Sequence, residues 1–589
     1  MVGRFIAIAR PAGPFSRAWI DDLAAQIVRE QGLQAVFDHE RLLVLADEAA
    51  NAVAVAPNPG VVFGTLFCRD RSTPATPDRT IQVLHAESDQ LPHAFLRSWW
   101  GGYVALFVDE RRANVHVLRD PSGGASCYQS DNQGVTFFYN DVSLPLSLGL
   151  IDTVLDAGQI AHHLAFPDLR LAATGVERVT EVLAGTEAIV GLDGRSVSRC
   201  AWTPWSFAAP DQQLGDREQA VELLRAETRS CAQSWASRSR SALVELSGGL
   251  DSSIVAACLR GQTEKVACVT LVTPDPSADE RRYAQMVAQR IGAELATVDL
   301  RVEAADLNQS AGTLSPRPGR GVLSNVVDEA LIQRSERLGV DAFFSGAGGD
   351  NVFCYLGTAA PASDVFKTMG LGRHFMGAVG DLATLHRCTF WTAGALAIRK
   401  AWRRPRPWLD QRRFLLPGAA PALPHHHPWL EAPHNALPGK REHVAALMRI
   451  QSALDGKRRV RLAPVRYPLL SQPLVELCLR IPSWMWISGG RNRSVARDAF
   501  AGDLPPEILN RRTKGDFTGF CGAIFERNRS TIAELLLGGW LAGAGILDVA
   551  AIEAYLAAPG PARDDGFHRL LEIASVEVWA RSWLATRRA

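Results

Sequence analysis

The chain has 589 residues, with 63 Lys and Arg against 62 Asp and Glu, a formal charge of +1. Hydrophobic residues make up 47% and charged residues 21%, which supplies material for large cores and argues against nucleic acid as the main partner. No run of 18 uninterrupted apolar residues occurs, and the opening MVGRFIAIARPAG is broken by Arg10 and Pro11. The expectation is a cytoplasmic protein with no transmembrane helix and no signal segment.

At roughly 150 residues per domain, two to four domains are expected. The first 200 residues read as strands. VAVAPN, VVFGTLF, GGYVALFVDE, ANVHVLRD, VTFFYND and EAIVGLDG are short, rich in Val, Phe and Tyr, and bounded by turn residues. RAWIDDLAAQIVREQG has apolar residues at helical spacing. A Pro- and Trp-containing connector, TPWSFAAPDQQLGD, follows near 203–216, and beyond it the rhythm becomes helix, strand, helix. Strands are expected at Ala242–Leu246, Val266–Val272, Ala296–Leu300 and Ala342–Ser345, with helices between them, which predicts a doubly wound parallel sheet. After residue 360 the pattern is mostly helical.

Segment 399–440 is dense in Pro, Arg and His, and its prolines exclude a long helix. Consecutive His425, His426 and His427 cannot all face one metal, so a solvated loop is expected there. The cluster Arg399, Lys400, Arg403, Arg404, Arg406 reads as a solvated face, or as a contact for acidic peptide or phosphate. The ten cysteines contain no C-x-x-C pair and read as small buried hydrophobes.

The strongest local signal is ALVELSGGLDSSIVAACL, residues 242–259: an apolar strand, a turn, then a helix. Gly248 and Gly249 allow the backbone to turn and approach a ligand. Backbone N–H groups at the helix start, with the hydroxyls of Ser247, Ser252 and Ser253, suit a phosphate. Asp251 belongs beside a phosphate when a divalent cation lies between them. The string lacks the G-x-x-x-x-G-K-[ST] of a Walker loop. A second strand runs into SGAGGD, where Gly346, Gly348 and Gly349 precede Asp350, a second carboxylate at a strand end and a second candidate ligand for Mg²⁺.

SGGLDSS is similar to the pyrophosphate loop of ATP pyrophosphatases, and the chain as a whole resembles the asparagine synthetase superfamily. SGGLDSS, SGAGGD, RYPLLSQPLVELCLRIP (466–482) and RSVARDAFAGDLPPEILNRRTKGDF (493–517) occur in the order of that family. GGYVALFVDERRANVHVLRDPSGGASCYQ resembles the β-sandwich of class II glutamine amidotransferases. The resemblance implies an α+β, Ntn-hydrolase-like sandwich at 1–210. It implies an α/β synthetase domain of the adenine nucleotide α-hydrolase type at 211–589, with an insert near 399–440. It further implies ATP and Mg²⁺ as cofactors, Lys514 as the catalytic lysine, and Asp251 and Asp350 as metal ligands.

Three departures refine this resemblance. Glutamine-dependent members carry a Cys at position 2, where this chain has Val2, and an alkyl group cannot replace a thiolate nucleophile, so no ammonia is expected from glutamine. Ala347 stands where asparagine synthetases usually have Glu and β-lactam synthetases Tyr. The ending Gly-Gly-Asp-Asn-Val-Phe and the Trp202-x-x-Trp205 connector look most like lasso-peptide cyclases. Those adenylate an Asp or Glu side chain of a precursor core peptide and close an amide with its N-terminal amine, alongside a leader peptidase and a leader-binding protein. A small-molecule amide- or β-lactam-forming ligase, and an inactive peptide- or nucleotide-binding scaffold, remain as alternatives. Asp381 and His386 are candidate bases for the amine. Asp279 and Glu280 read as helix-opening acids or as groups near the nucleotide. Arg466 and Arg493 read as phosphate contacts or as structural ion-pair partners.

Overall fold

The structure is a computed structural model that describes residues 3–11, 17–56, 59–69, 81–82, 91–309, 314–319, 321–403, 408–512, 515–558 and 564–586. Statements of number or absence below refer to these residues.

Two largely antiparallel sheets form before residue 200. The six-stranded one runs in the order Val179–Glu181, Tyr128–Asn132, Val135–Tyr139, Phe5–Ala9, Leu42–Ala46, Gln34–His39. The seven-stranded one is centred on Trp99–Asp109, which pairs with Gly60–Cys68 on one side and Asn114–Arg119 on the other. Phe5, Ala7, Ala9, Val44, Val104 and Val117 belong to the apolar layer where the inner faces of the two sheets pack. The strand Phe5–Ala9 corrects the sequence reading, which took FIAIA only as an apolar run too short for a signal segment. It is buried along its whole length and therefore shows no in–out alternation.

The third sheet has five strands, all pairing parallel: Glu294–Asp299, Lys265–Val272, Ser241–Glu245, Ala342–Ser345 and Val465–Arg466. Both faces are covered. Leu243, Ala267, Val269 and Phe343 pack with Leu331 of helix Gly321–Leu338. Ala242, Val244, Cys268 and Phe344 join the main core with Ile254 and Val255 of helix Leu250–Leu259. This is the expected doubly wound arrangement. The strand order turns back on itself at Ser241–Glu245, which has a sequence-later strand on each side. The loops leaving it and its neighbour Ala342–Ser345 therefore open a crevice at the carboxyl edge.

Sandwich and synthetase sheet share one main core, which contains Trp100, Phe137, Leu224, Val244 and Leu474 alike. Arg69 forms a two-bonded pair with Glu476 (2.8 and 2.9 Å), and Glu476 also receives the Trp202 indole N–H at 2.8 Å. Glu181 of the sandwich is fully enclosed and meets Arg119, Arg170 and Arg317, while Arg170 also reaches Asp455. A cavity of about 10 Å³, lined in part by Ser122, Trp202, Gln451 and Leu470, lies in this joint and has room for about one water molecule.

The solvated-loop expectation for 399–440 holds for most of its described residues, but a few side chains anchor the segment in the core. Trp408, Phe414, Leu415 and Trp429 are buried, Trp205 donates to the Trp429 carbonyl at 3.0 Å, and His425 stacks on His162. The side chain of His427 accepts the Trp429 N–H at 3.0 Å. The prolines exclude helix but not burial: Trp408 donates to the Pro167 carbonyl of the sandwich at 3.0 Å, and Phe414 packs against Tyr555. None of the ten cysteines forms a disulfide; seven are buried, but Cys200 is exposed and Cys68 and Cys388 are half-buried.

Candidate functional site

The loop Ser247–Gly249 leaves strand Ser241–Glu245 and feeds helix Leu250–Leu259. Gly249 caps that helix without a side-chain bond to the first turn, so its N-terminal N–H groups are not used by a cap. Ser253 Oγ donates to the Gly249 carbonyl at 2.7 Å, and the hydroxyls of Ser247 and Ser252 lie 3.2 Å apart. Gly248 has φ +66°, and a Cβ there would stand 2.4 Å from Cβ of Tyr283. Only glycine fits that turn.

The second loop presses directly on the first. A Cβ on Gly346 would lie 2.5 Å from Ser252 N, and one on Gly349 would lie 2.4 Å from Cγ of Asp251. Glycines in SGAGGD thus bring two strand-end acids together. Asp251 and Asp350, 99 positions apart in the sequence, both receive Nη1 of Arg493; the bonds to Asp251 are 3.1 and 2.9 Å. Asp251 is only 8% exposed. Burial acts against the charge on Arg493, yet the two carboxylates outweigh it and raise its pKa. Arg493 therefore stands in the site itself, and it also lies 5.3 Å from the ring of half-exposed Tyr355.

Two further arginines were not singled out by sequence reasoning. Arg511 donates to the Gly248 carbonyl at 3.2 Å and to Glu280 at 2.6 Å, and it lies 4.0 Å over the ring of Tyr283. Glu280 also accepts the Gly515 N–H at 3.0 Å, so it holds both Gly515 and Arg511, and Arg511 reaches the first loop. Arg497 bonds carbonyls of Asn492 and Leu509, which fixes the backbone on either side of Arg493 and Arg511. Desolvation first, then the nearby guanidinium groups of Arg493 and Arg491, push its pKa down to about 10. Arg511 stands three residues before Lys514 in RRTKG, and that spacing is the one local signal for it.

The other candidates fall elsewhere. Lys514 and Val2 lie outside the described residues. Asp279 accepts the N–H and side chain of Arg281 at an exposed helix start. Arg466 lies 4.8 Å over Trp235, at the joint with the sandwich. Asp381 accepts the Gly490 N–H at 3.1 Å, and His386 ends the same helix at the surface. Ala347 is exposed between the glycines of the second loop.

Two hard carboxylates after strand ends, Asp251 buried and Asp350 half-buried, already balanced by a cation, fit the donor chemistry of Mg²⁺. No group of three or more His, Cys, Asp or Glu side chains is placed to hold a metal ion among the described residues. Phosphate or water oxygens would therefore have to complete such a site.

The family model for asparagine synthase matches residues 224–581, which carry both loops and all three arginines. The chain belongs to the asparagine synthase family. The chemistry of that family is ATP-dependent formation of carbon–nitrogen bonds, and this chain is a ligase of that kind. A comparison with curated proteins finds no match. Among solved structures, the allosteric regulatory enzyme of purine biosynthesis is similar at 11% identity and TM-score 0.21, covering 50% of this chain and 80% of that one. Glutamine phosphoribosylpyrophosphate amidotransferase from B. subtilis, complexed with ADP and GMP, is similar at 10% identity and TM-score 0.22, covering 51% and 91%. No helix of this family member is long and apolar enough to cross a membrane among the described residues.

Proposed function

We propose that this chain is a macrolactam synthetase. It adenylates an Asp or Glu side chain of a precursor peptide and joins it to the peptide's own N-terminal amine, as in lasso-peptide maturation. The observation that carries the ligase chemistry is the meeting of Asp251 and Asp350 on Arg493 beside the Ser247–Ser253 loop. Peptide as the substrate is supported by the lasso-cyclase-like Gly-Gly-Asp-Asn-Val-Phe string and by Ala347, which puts only a methyl group at the exposed tip of the second loop.

A substrate carboxylate oxygen attacks the α-phosphorus of ATP, the bond to the bridging oxygen breaks, and pyrophosphate leaves. Ser247, Gly248, Gly249, Ser252 and Ser253 receive the pyrophosphate through hydroxyl and backbone donors, with Gly346, Gly348 and Gly349 shaping the opposite wall. Mg²⁺, when bound by Asp251 and Asp350, supplies charge neutralisation on phosphate oxygens. Arg493 provides a second cation whose fork can turn from carboxylate to phosphate. Lys514 stabilises negative charge in the transition states. The amine nitrogen then attacks the acyl carbon, the C–N bond forms, AMP leaves, and the amine proton passes to solvent or a base. Both reacting groups belong to one chain, so holding them together makes the second step unimolecular, worth up to about 7–11 kcal/mol in favourable cases. The N-terminal domain, 1–210, serves as a platform fused to the synthetase.

The test is mass spectrometry after incubation with ATP, Mg²⁺ and precursor peptides carrying a free N-terminus and a downstream Asp or Glu. Loss of one water from the peptide together with AMP release is expected. AMP release driven only by small carboxylic acids, with every peptide unchanged, would overturn the peptide assignment in favour of a small-molecule ligase.

A further inference from the structure

Helix Phe390–Trp402 is seated in its lobe by small residues. Ala393, Gly394, Ala397 and Ala401 are buried, and Gly394 faces Val379 of helix Arg373–His386. The core side of this helix is therefore filled. On the outer side Trp391, Ala395, Ile398 and Trp402 follow at steps of four, three and four, which aligns them along one face over about 16 Å. Trp391 is 80% and Trp402 77% exposed. Single exposed apolar residues are ordinary, but two tryptophans aligned at the ends of an apolar stripe mark an interaction surface. Leu371 and Met376 add exposed apolar area on the same lobe.

The charge around the stripe has one sign. Arg399 and Arg403 flank it, both exposed, and neither enters an ion pair among the described residues; Lys400 is taken by Glu442 at 2.5 Å. Exposed Arg373 and Arg387 belong to the neighbouring helix and its end. The acids of the lobe are turned inward: Asp364 is buried on Gly439 N and Ser483 Oγ, and Asp381 holds Gly490 N. A second copy of this face would set arginine against arginine. A membrane would favour a broad, continuous apolar face, whereas here only the methyl group of Ala395 lies between Trp391 and Ile398, and Arg399 separates the stripe from Leu396.

We propose that this face docks an acidic, amphipathic helix of a partner protein, whose apolar residues meet Trp391, Ile398 and Trp402 while its carboxylates pair with Arg399 and Arg403. Tryptophan and arginine are the residues that most often dominate such contacts.

The test uses the full chain and two labelled synthetic helices with the same Leu and Phe stripe, one with Glu and one with Lys at the remaining positions, followed by fluorescence anisotropy. The Glu helix is expected to bind and to weaken as salt rises, and the Lys helix to bind at least about tenfold more weakly. Trp391→Ala and Trp402→Ala should each raise the Kd about tenfold or more. The double variant Arg399→Glu/Arg403→Glu should reverse the preference between the two helices, a gain that misfolding cannot produce. Equal binding of both helices, or binding of neither, overturns the proposal. So does cosedimentation with anionic phospholipid vesicles, or a concentration-dependent dimer, that is lost in the tryptophan variants.

Discussion

Gly349→Ala isolates the contact between the two loops. Gly349 has no positive φ, so alanine meets no backbone penalty, and the position opens a short helix. The added methyl would stand 2.4 Å from Asp251 Cγ and 2.5 Å from its Cβ. Ordinary carbon contacts begin near 3.5 Å, so the loops must part by about 1 Å. Rotation of the Asp251 side chain cannot relieve a clash at its own Cβ, so the backbone of one loop must move. Overpacking of this size costs about 1–3 kcal/mol of stability. A shift of about 1 Å at reacting groups costs about 10²-fold in rate, or about 2.7 kcal/mol in barrier. The assay is AMP release against Mg²⁺ concentration, with the thermal midpoint recorded in parallel. Gly357→Ala is the control, because a Cβ there meets nothing within 4 Å. A folded Gly349→Ala protein within twofold of the parent, at every Mg²⁺ concentration, would refute the idea that contact of the loops sets the metal-binding geometry.

Three further outcomes are expected. Lys514→Ala should lower AMP release by about 10²–10³-fold while ATP binding, followed by calorimetry, is kept. Glu181→Gln keeps the side-chain volume but leaves Arg119, Arg170 and Arg317 with one fewer negative charge in an enclosed site; chemical denaturation should show a loss of about 3–5 kcal/mol. Burial pushes His162 down to about 4 and His427 and His443 to about 3, so below pH 6.5 the unfolded chain binds protons that the folded chain refuses. Stability should therefore fall as pH drops from 6.5 toward 4, by up to about 2 kcal/mol per histidine at pH 5, and a midpoint flat over that range in thermal melts would contradict the buried neutral assignment.

The parallel strands were legible almost to the residue, because each is a short apolar run closed by glycine or a charged turn. Ala342–Ser345 was read with its observed bounds, and Lys265–Val272 begins one residue before the expected start. Val465–Arg466 was not legible: two residues carry no periodicity, and that strand exists only through pairing with Phe343 and Phe344. The two glycine loops announced themselves as phosphate-type turns, yet their contact did not, since nothing local links Gly349 to Asp251. Arg493 shows the same limit. Its partners lie 143 and 242 positions away, and its φ of +49° is a strained setting that no local pattern forecasts for arginine. The buried anchors of segment 399–440 were not legible, because composition reports what a chain cannot form, here a helix, and not where Trp408, Phe414 and Trp429 will find cover.

The joint between the two halves explains why the sandwich belongs to the working enzyme. Arg317, Asp455 and Glu476 come from the synthetase half, and their main partners Glu181, Arg170 and Arg69 from the sandwich. Buried Glu476 takes its arginine from the sandwich, and the Glu181 cluster is completed by Arg317 and Asp455 of the synthetase half; an uncompensated buried ion costs several kcal/mol. Gln451 donates to the Ser122 carbonyl at 3.1 Å across the same joint. Leu470 connects that joint to the chemistry: it lines the small cavity beside Ser122 and also packs where a Cβ on Gly348 would lie. A disturbance of the sandwich at Ser122 is thus one side chain away from the loop that carries Asp350. Such an arrangement makes the sandwich a fixed wall behind the second loop, and it accounts for the close filling of the joint.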